Sequence, residues 1–464
     1  MTAVLRAPEL YRPPAPNPLS PVLSLLRVIW KRERSLLSLV PQEAYREMVM
    51  ELGKTRRGIL LINDPALVAE ILTDANGIFP KNDLMVDAVE PLVGDSMFVS
   101  SGATWKRQRR MIEPAFSHMR INRAFTQMVA AVDDHEAWLD GLIARGETYS
   151  LDAAMGHLTA DVITRTIFSV PLATQAARDV FDAFTIFERR VASVNIRALL
   201  LEKAWSKTRQ PPVVLDACRR IRAHIGEMLD PRLAPGAPLA DDLAGAAIAA
   251  RDPETGATFS REELVDELGV FFLAGHETSA SVLTWVLYIL AMQPEVVARI
   301  RAEVDALCGD GPIEIEHAKR LPFTRNVFRE TMRLYPPITF LPRVAAEDTT
   351  LGHRTVKRGT MLMIAPWTIH RHVKLWKDPD RFDPDRFTPE REGEMTPGAY
   401  LPFGVGPRVC VGAAFATLEA SLIIARLARR YDFTALNGAD VKPVARLTTR
   451  PLHEITFRAT YRPR

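Results

Sequence analysis

The run Phe403-Gly404-Val405-Gly406-Pro407-Arg408-Val409-Cys410-Val411-Gly412 leads directly into a strong helical pattern from about Ala413 to Arg430. That order places Cys410 at the start of a helix, where free backbone N–H groups and the positive dipole end favour a thiolate over a thiol. A thiolate is a soft, anionic ligand. Gly406 and Gly412 would let backbone approach a flat, bulky group, Phe403 could cover the sulfur, and Arg408 brings positive charge beside it. A planar anionic cofactor fits such a loop. A cysteine taken alone reads as a small buried hydrophobe, but the glycines, arginine and aromatic around this one argue for a ligand.

The 464 residues would accommodate up to three domains at about 150 residues each. No repeat of fixed period appears, and the proline-rich patches at 211–212 and 231–238 are too short for long linkers. One large domain over 41–464 is therefore expected, behind a proline-rich, amphipathic lead-in over 1–40. With 47% hydrophobic and 25% charged residues, the composition is that of a soluble globular protein. A net charge of +3 gives no reason to expect nucleic acid as partner. Cys218, Cys308 and Cys410 are odd in number and far apart, which excludes a disulfide framework and any four-cysteine metal site. A cytoplasmic monomer is the expectation.

Pro8, Pro13, Pro14, Pro16 and Pro18 interrupt any signal peptide. The segment from Leu19 to Val40 is divided by Arg27, Lys31, Arg32, Glu33 and Arg34, so it lacks the roughly 20 apolar residues of a transmembrane anchor and at most lies on a membrane surface. Leu268 to Met292 is long enough to span, yet His276, Glu277, Thr278 and Ser279 sit at its centre, where lipid would penalise them. It reads as a long buried helix with a polar waist, started by the capping-box spacing of Ser260 and Glu263 and ended just before Pro294.

Helical periodicity dominates elsewhere, around Trp105–Met111, Arg120–Arg145, Leu151–Phe168, Ala173–Val194 and Ala217–Met228. Short strands are expected over Gly58–Ile62, Val344–Leu351, Met361–Ala365 and the last twenty or so residues. After the first of these, Asn63, Asp64 and Pro65 start a helix through about Leu72. No G-x-G-x-x-G or G-x-x-x-x-G-K-[ST] is present, so nothing points to a bound nucleotide.

All five specified positions of the cysteine run match F-x-x-G-x-R-x-C-x-G, so the chain resembles the cytochrome P450 family at its haem-binding signature. The resemblance extends in family order from Trp105 through Gly412. It implies a mainly α fold with small β-sheets, one large domain and a long central buried helix. It also implies haem b with Cys410 as axial ligand to the iron, bordered by Phe403, Arg408 and Gly412. Glu330-x-x-Arg333 with Arg386, from the segment Pro379 to Phe387, would form a buried structural triad. Trp105-x-x-x-Arg109, stacked on one helix face, would meet the haem carboxylates together with Arg343 and Arg408. Ala274-Gly275-His276-Glu277-Thr278-Ser279 matches the family's oxygen-activating pattern: Gly275 leaves space, Thr278 donates a hydrogen bond to dioxygen, and Glu277 feeds protons through water. The other reading of that run is a threonine bonded back to its own helix and an acid in a salt bridge.

The implied reaction inserts one oxygen atom from O2 into a hydrophobic small molecule and reduces the other to water with two electrons. The stretch after Gly412 is too short for a fused flavin or iron–sulfur domain, so ferredoxin and ferredoxin reductase, as separate proteins, are the expected supply. Lys106, Arg107 and Arg110 form either a basic docking patch for an acidic ferredoxin or an ordinary solvated face. Leu273, Ala274, Ile338, Phe340 and Thr448 are expected substrate contacts, as is the Phe181 to Leu201 region. A haem-thiolate isomerase or peroxygenase, and a non-catalytic haem-binding sensor, are the competing functions.

Overall fold

The computed structural model describes residues 11–20, 23–24, 35–52, 58–191 and 210–463; the far end of the Phe181 to Leu201 region lies outside them. The longer helices are α1 (Pro65–Thr73), α2 (Asp83–Val93), α3 (Gly102–Ile112), α4 (His118–Arg145), α5 (Leu151–Phe168), α6 (Gln175–Val191), α7 (Pro212–Leu233), α8 (Arg261–Met292), α9 (Pro294–Cys308), α10 (Pro322–Leu334) and α11 (Ala413–Arg430). The strands are short: β1 (Val49–Glu51), β2 (Ile59–Ile62), β3 (Tyr149–Ser150), β4 (Leu341–Val344), β5 (Thr349–Leu351), β6 (Arg354–Val356), β7 (Met361–Ile364), β8 (Tyr431–Ala435), β9 (Pro443–Ala445), β10 (Thr449–Pro451) and β11 (Thr456–Tyr461).

Helix starts follow the chemistry of their first residues. The Asp64 carboxylate accepts from the Ala66 and Leu67 N–H groups, with Pro65 at the first helical position. Ser260 and Glu263 close the reciprocal capping box that begins α8, and Pro294 opens α9 two residues after α8 ends. The expected strand over Val344–Leu351 is two strands, β4 and β5, separated by a turn.

A four-stranded sheet runs in the order β1-β2-β7-β4, with β2 parallel to β7 and β4 antiparallel to it. Arg343 stands opposite Leu362 in this sheet, and an isolated bridge joins it to Lys81. The pairs β9/β10 and β5/β6 and the three-stranded sheet β3-β11-β8 complete the β structure.

Two apolar clusters form most of the interior, and α8 passes through both. Leu264 to Leu273 pack with α2, α6 and α7, whereas Val282 to Leu290 pack with α4, α10 and α11. The α5 helix divides the same way, Leu151 to Val162 in one cluster and Ile163 to Phe168 in the other. The polar waist of α8 therefore falls where the two cores meet. Among the described residues α8 is the one helix long and apolar enough to cross a membrane, and protein encloses most of it.

The lead-in is not separate from the domain. The Pro14 carbonyl accepts from the Tyr335 hydroxyl at 2.6 Å, the Tyr11 carbonyl accepts from the Phe382 N–H at 2.8 Å, and Leu19 bridges to Pro41. Residues 11–20 thus pack against the body of the chain. Their proline-rich sequence gave no sign of the partners that fix them.

Candidate active site around the Cys410 loop

The signature loop is held by its own backbone. Gly404 and Gly406 take φ of 75° and 78°, a region that favours glycine, and the Cys410 N–H donates to the Phe403 carbonyl at 3.0 Å. A Cβ on Gly406 would lie 2.8 Å from the Leu72 carbonyl oxygen, so this glycine serves the packing of the loop on α1. That corrects its expected place beside a flat ligand. At Gly412 a Cβ would meet the Cys410 Sγ and Phe116 at ordinary contact distance, 3.9 Å. Phe403 packs against the larger core cluster.

Of the three cysteines only Cys410 is exposed; Cys218 is buried and Cys308 half-buried. The protein packed around the sulfur pushes the Cys410 thiol up, and the Gly412 N–H and the Arg109 guanidinium oppose that shift. Cys410 lies three residues before the first helical residue.

Trp105 and Arg109 both grip the loop from α3. The Arg408 guanidinium lies 4.4 Å over the Trp105 ring, and Arg109 Nη1 donates to the Val409 carbonyl at 2.8 Å. Arg408 Nη2 donates to the Ser100 carbonyl at 2.8 Å, while its Nη1 is buried with no hydrogen-bond partner. Burial pushes Arg343 down to about 10, and burial with Arg343 nearby does the same to Arg408, while Asp74 opposes both shifts only in part. Lys81 joins them: burial, then Arg408 and Arg343, drive its ammonium well below the usual range. Among the described residues no carboxylate forms an ion pair with any of these three cations. An uncompensated buried charge costs several kcal/mol, so the cluster fits a bound group that carries carboxylates. Lys81 had no local signal in the sequence, because only the long-range bridge to Arg343 brings it here.

The triad forms as expected and reaches the cysteine loop. Arg333 pairs with Glu330 at 2.7 and 2.8 Å and also donates to the carbonyls of His370, Pro379 and Arg381. Arg386 donates to Glu330 at 3.2 Å and to the Lys377 and Asp378 carbonyls. His370 then accepts from the Leu401 N–H at 3.0 Å, two residues before Phe403.

On α8, Ala274, Gly275, Thr278 and Ser279 are half-buried while their neighbours are buried. Thr278 Oγ1 donates back to the Ala274 carbonyl at 2.6 Å. A Cβ on Gly275 would lie 2.6 Å from the Ile163 side chain, so this glycine also admits α5. Glu277 is buried: Arg450 donates to it at 2.5 and 3.2 Å and the Thr448 hydroxyl at 2.5 Å. Burial pushes this carboxyl up, but Arg450, His276 and Thr448 more than offset that and hold it below its usual range.

The expected substrate contacts divide. Ala274 and Ile338 are half-buried and remain available. Thr448 is buried with its hydroxyl given to Glu277, Leu273 is buried in the apolar cluster, and Phe340 is half-buried and packs against two clusters. The two readings of the basic residues on α3 divide by residue. Arg107 pairs with Glu263, and Arg110 with Asp252 at 3.1 Å and Glu254 at 2.9 Å, which leaves Lys106 exposed. Helical spacing placed the three cations but could not show the acids facing them.

Comparison with known proteins agrees with this arrangement. The chain is 34% identical over 426 residues to cyclooctat-9-en-7-ol 5-monooxygenase of Streptomyces melanosporofaciens, covering 90% of this chain and 89% of the relative. It is 33% identical to cyclooctatin synthase of the same organism, with 88% of each chain covered. The crystal structure of the cytochrome P450DA heme domain superimposes with a TM-score of 0.78 at 26% identity, over 90% of both chains. The family model described as Cytochrome P450 matches residues 13–457, and the chain belongs to the cytochrome P450 family.

Proposed function

We propose that this haem-thiolate monooxygenase holds its iron through Cys410, neutralises the haem carboxylates with Lys81, Arg343 and Arg408, and delivers protons through Glu277 and Thr278. The observation that supports this most is the pairing of one exposed cysteine with three clustered cations, buried Arg343 and half-buried Lys81 and Arg408, which outnumber the one acid acting on them, Asp74. When bound, haem supplies oxygen binding and O–O cleavage, promoted by donation from the thiolate. The side chains do the rest. Arg408, fixed against Trp105 and Ser100, turns its free Nη1 to a carboxylate. Thr in a helix has two accessible χ1 wells, so Thr278 can release the Ala274 carbonyl and donate to oxygen. Glu277 supplies the following proton.

One oxygen atom enters a hydrophobic substrate, and two electrons and two protons reduce the other to water. Ala274 and Ile338 line the substrate's place, and cyclooctat-9-en-7-ol, named for a relative, is the first compound to test. Electrons come from a cytoplasmic ferredoxin and its reductase, with Lys106 the exposed cation on α3. In the reconstituted enzyme, Thr278→Ala should consume electrons with little product. Full coupling in that variant would contradict the proton role of Thr278.

A further inference from the structure

Glu277 is not alone in its pocket. Arg450, at 3% side-chain exposure, also donates to Asp152 of α5 at 2.8 Å and approaches Glu188 of α6 at 3.7 Å. One buried guanidinium thus faces three carboxyls. All three cannot be ionised at modest cost, because like charges held together out of water repel strongly. Glu188 and Glu277 meet at the same Arg450 guanidinium, at 3.7 and 2.5 Å, and two carboxyls brought together in this way can share a hydrogen bond only when one of them carries a proton. Side-chain exposure falls in order from 27% at Asp152 through 15% at Glu188 to 1% at Glu277. The series leads from solvent to the waist of α8.

We propose that Glu188 is a further proton-transfer residue, which shares one proton with Glu277 and refills it from solvent along the Asp152 edge. Each turnover step moves one proton from Glu188 to Glu277 and one from bulk water to Glu188, while Glu277 passes its proton toward Thr278. No electron moves through these groups. Arg450 stays charged and holds the three carboxyls in register. Burial and the nearby Glu277 push Glu188 up to about 8, against the opposing Arg450, so it carries a proton at neutral pH. The charged or titratable groups facing the pair are Asp152, Arg450 and His276, the last held neutral by burial. The inference deepens the acid–alcohol reading of Glu277 and Thr278 and rests on it.

The test uses the holoenzyme and the variants Glu188→Gln, Glu188→Asp and Asp152→Asn. The infrared difference spectrum at pH 7 between wild type and Glu188→Gln should show the loss of one protonated carboxyl band. Turnover in Glu188→Gln should fall by up to about 100-fold, the low end of what positioned proton transfer contributes. The solvent isotope effect should rise, and Glu188→Asp should recover part of the loss. Asp152→Asn should keep the band and lose less activity. An unchanged protonated band in Glu188→Gln would overturn the proposal, and so would loss of the band with turnover and isotope effect intact. If Thr278→Ala stays fully coupled, the acid–alcohol reading falls. The infrared band needs no turnover, so it still reports where the proton sits.

Discussion

Two buried charge networks in this protein are built in opposite senses. In the triad two arginines surround one carboxylate. All five N–H donors of Arg333 are used, on Glu330 and on the carbonyls of His370, Pro379 and Arg381. Around Arg450 the ratio is inverted: one arginine serves Asp152, Glu188 and Glu277. A saturated network has no proton to give and one arrangement to hold, which suits a scaffold. A network with more carboxyls than cations keeps a mobile proton, which suits chemistry. A third cluster sets three cations, Lys81, Arg343 and Arg408, against one acid, Asp74, and that imbalance marks where an anionic group belongs.

The largest effect should come from breaking the saturated network. Arg333→Leu leaves the buried Glu330 and three carbonyls without their donor, and should cost about 3–5 kcal/mol, read from denaturant unfolding. A change under about 1 kcal/mol would show that the triad is not the scaffold.

The link from the triad to the cysteine loop gives a second test, by pH. Burial, with Arg333 and Arg371 adding to it, pushes His370 down to about 3 from an ordinary 6.5. The folded state keeps it neutral while the unfolded state takes up a proton below 6.5, so its contribution is intact above 6.5 and lost as pH falls toward 3. The loss should run at up to about 1.4 kcal/mol per pH unit. His370→Gln should remove that share of the slope and leave the part due to His135 and His276, which burial also lowers. An identical slope in wild type and variant would detach His370 from the account.

A smaller effect sharpens the contrast with the cation cluster. Lys81→Met should stabilise the haem-free protein by about 1 kcal/mol, as removal of an unpaired buried charge does, and should weaken haem retention about tenfold, the value of a charge-assisted contact. Equal haem retention in both proteins would place the carboxylates elsewhere.

What the sequence made legible was local. The ends of α8 and α11, the cap at Asp64 and the signature loop follow from residues within a few positions of one another. The networks were only half legible, because their members are far apart in the chain. Glu330 and Arg333 share a helix turn, but Arg450 lies 173 positions from Glu277 and 298 from Asp152. Thr448 enters as a substrate contact only through the family resemblance, and the fold shows that its hydroxyl donates to Glu277. For Arg107 and Arg110 the sequence leaves two readings open, since periodicity says which way a side chain points and not what meets it.

The direct test of the central claim is the ferrous carbon-monoxide difference spectrum of the purified protein under native conditions. Ligation by Cys410 predicts the red-shifted Soret band of a thiolate-bound haem, lost in Cys410→Ser. A wild-type spectrum like that of a histidine-ligated haem, or no haem at all, would contradict it.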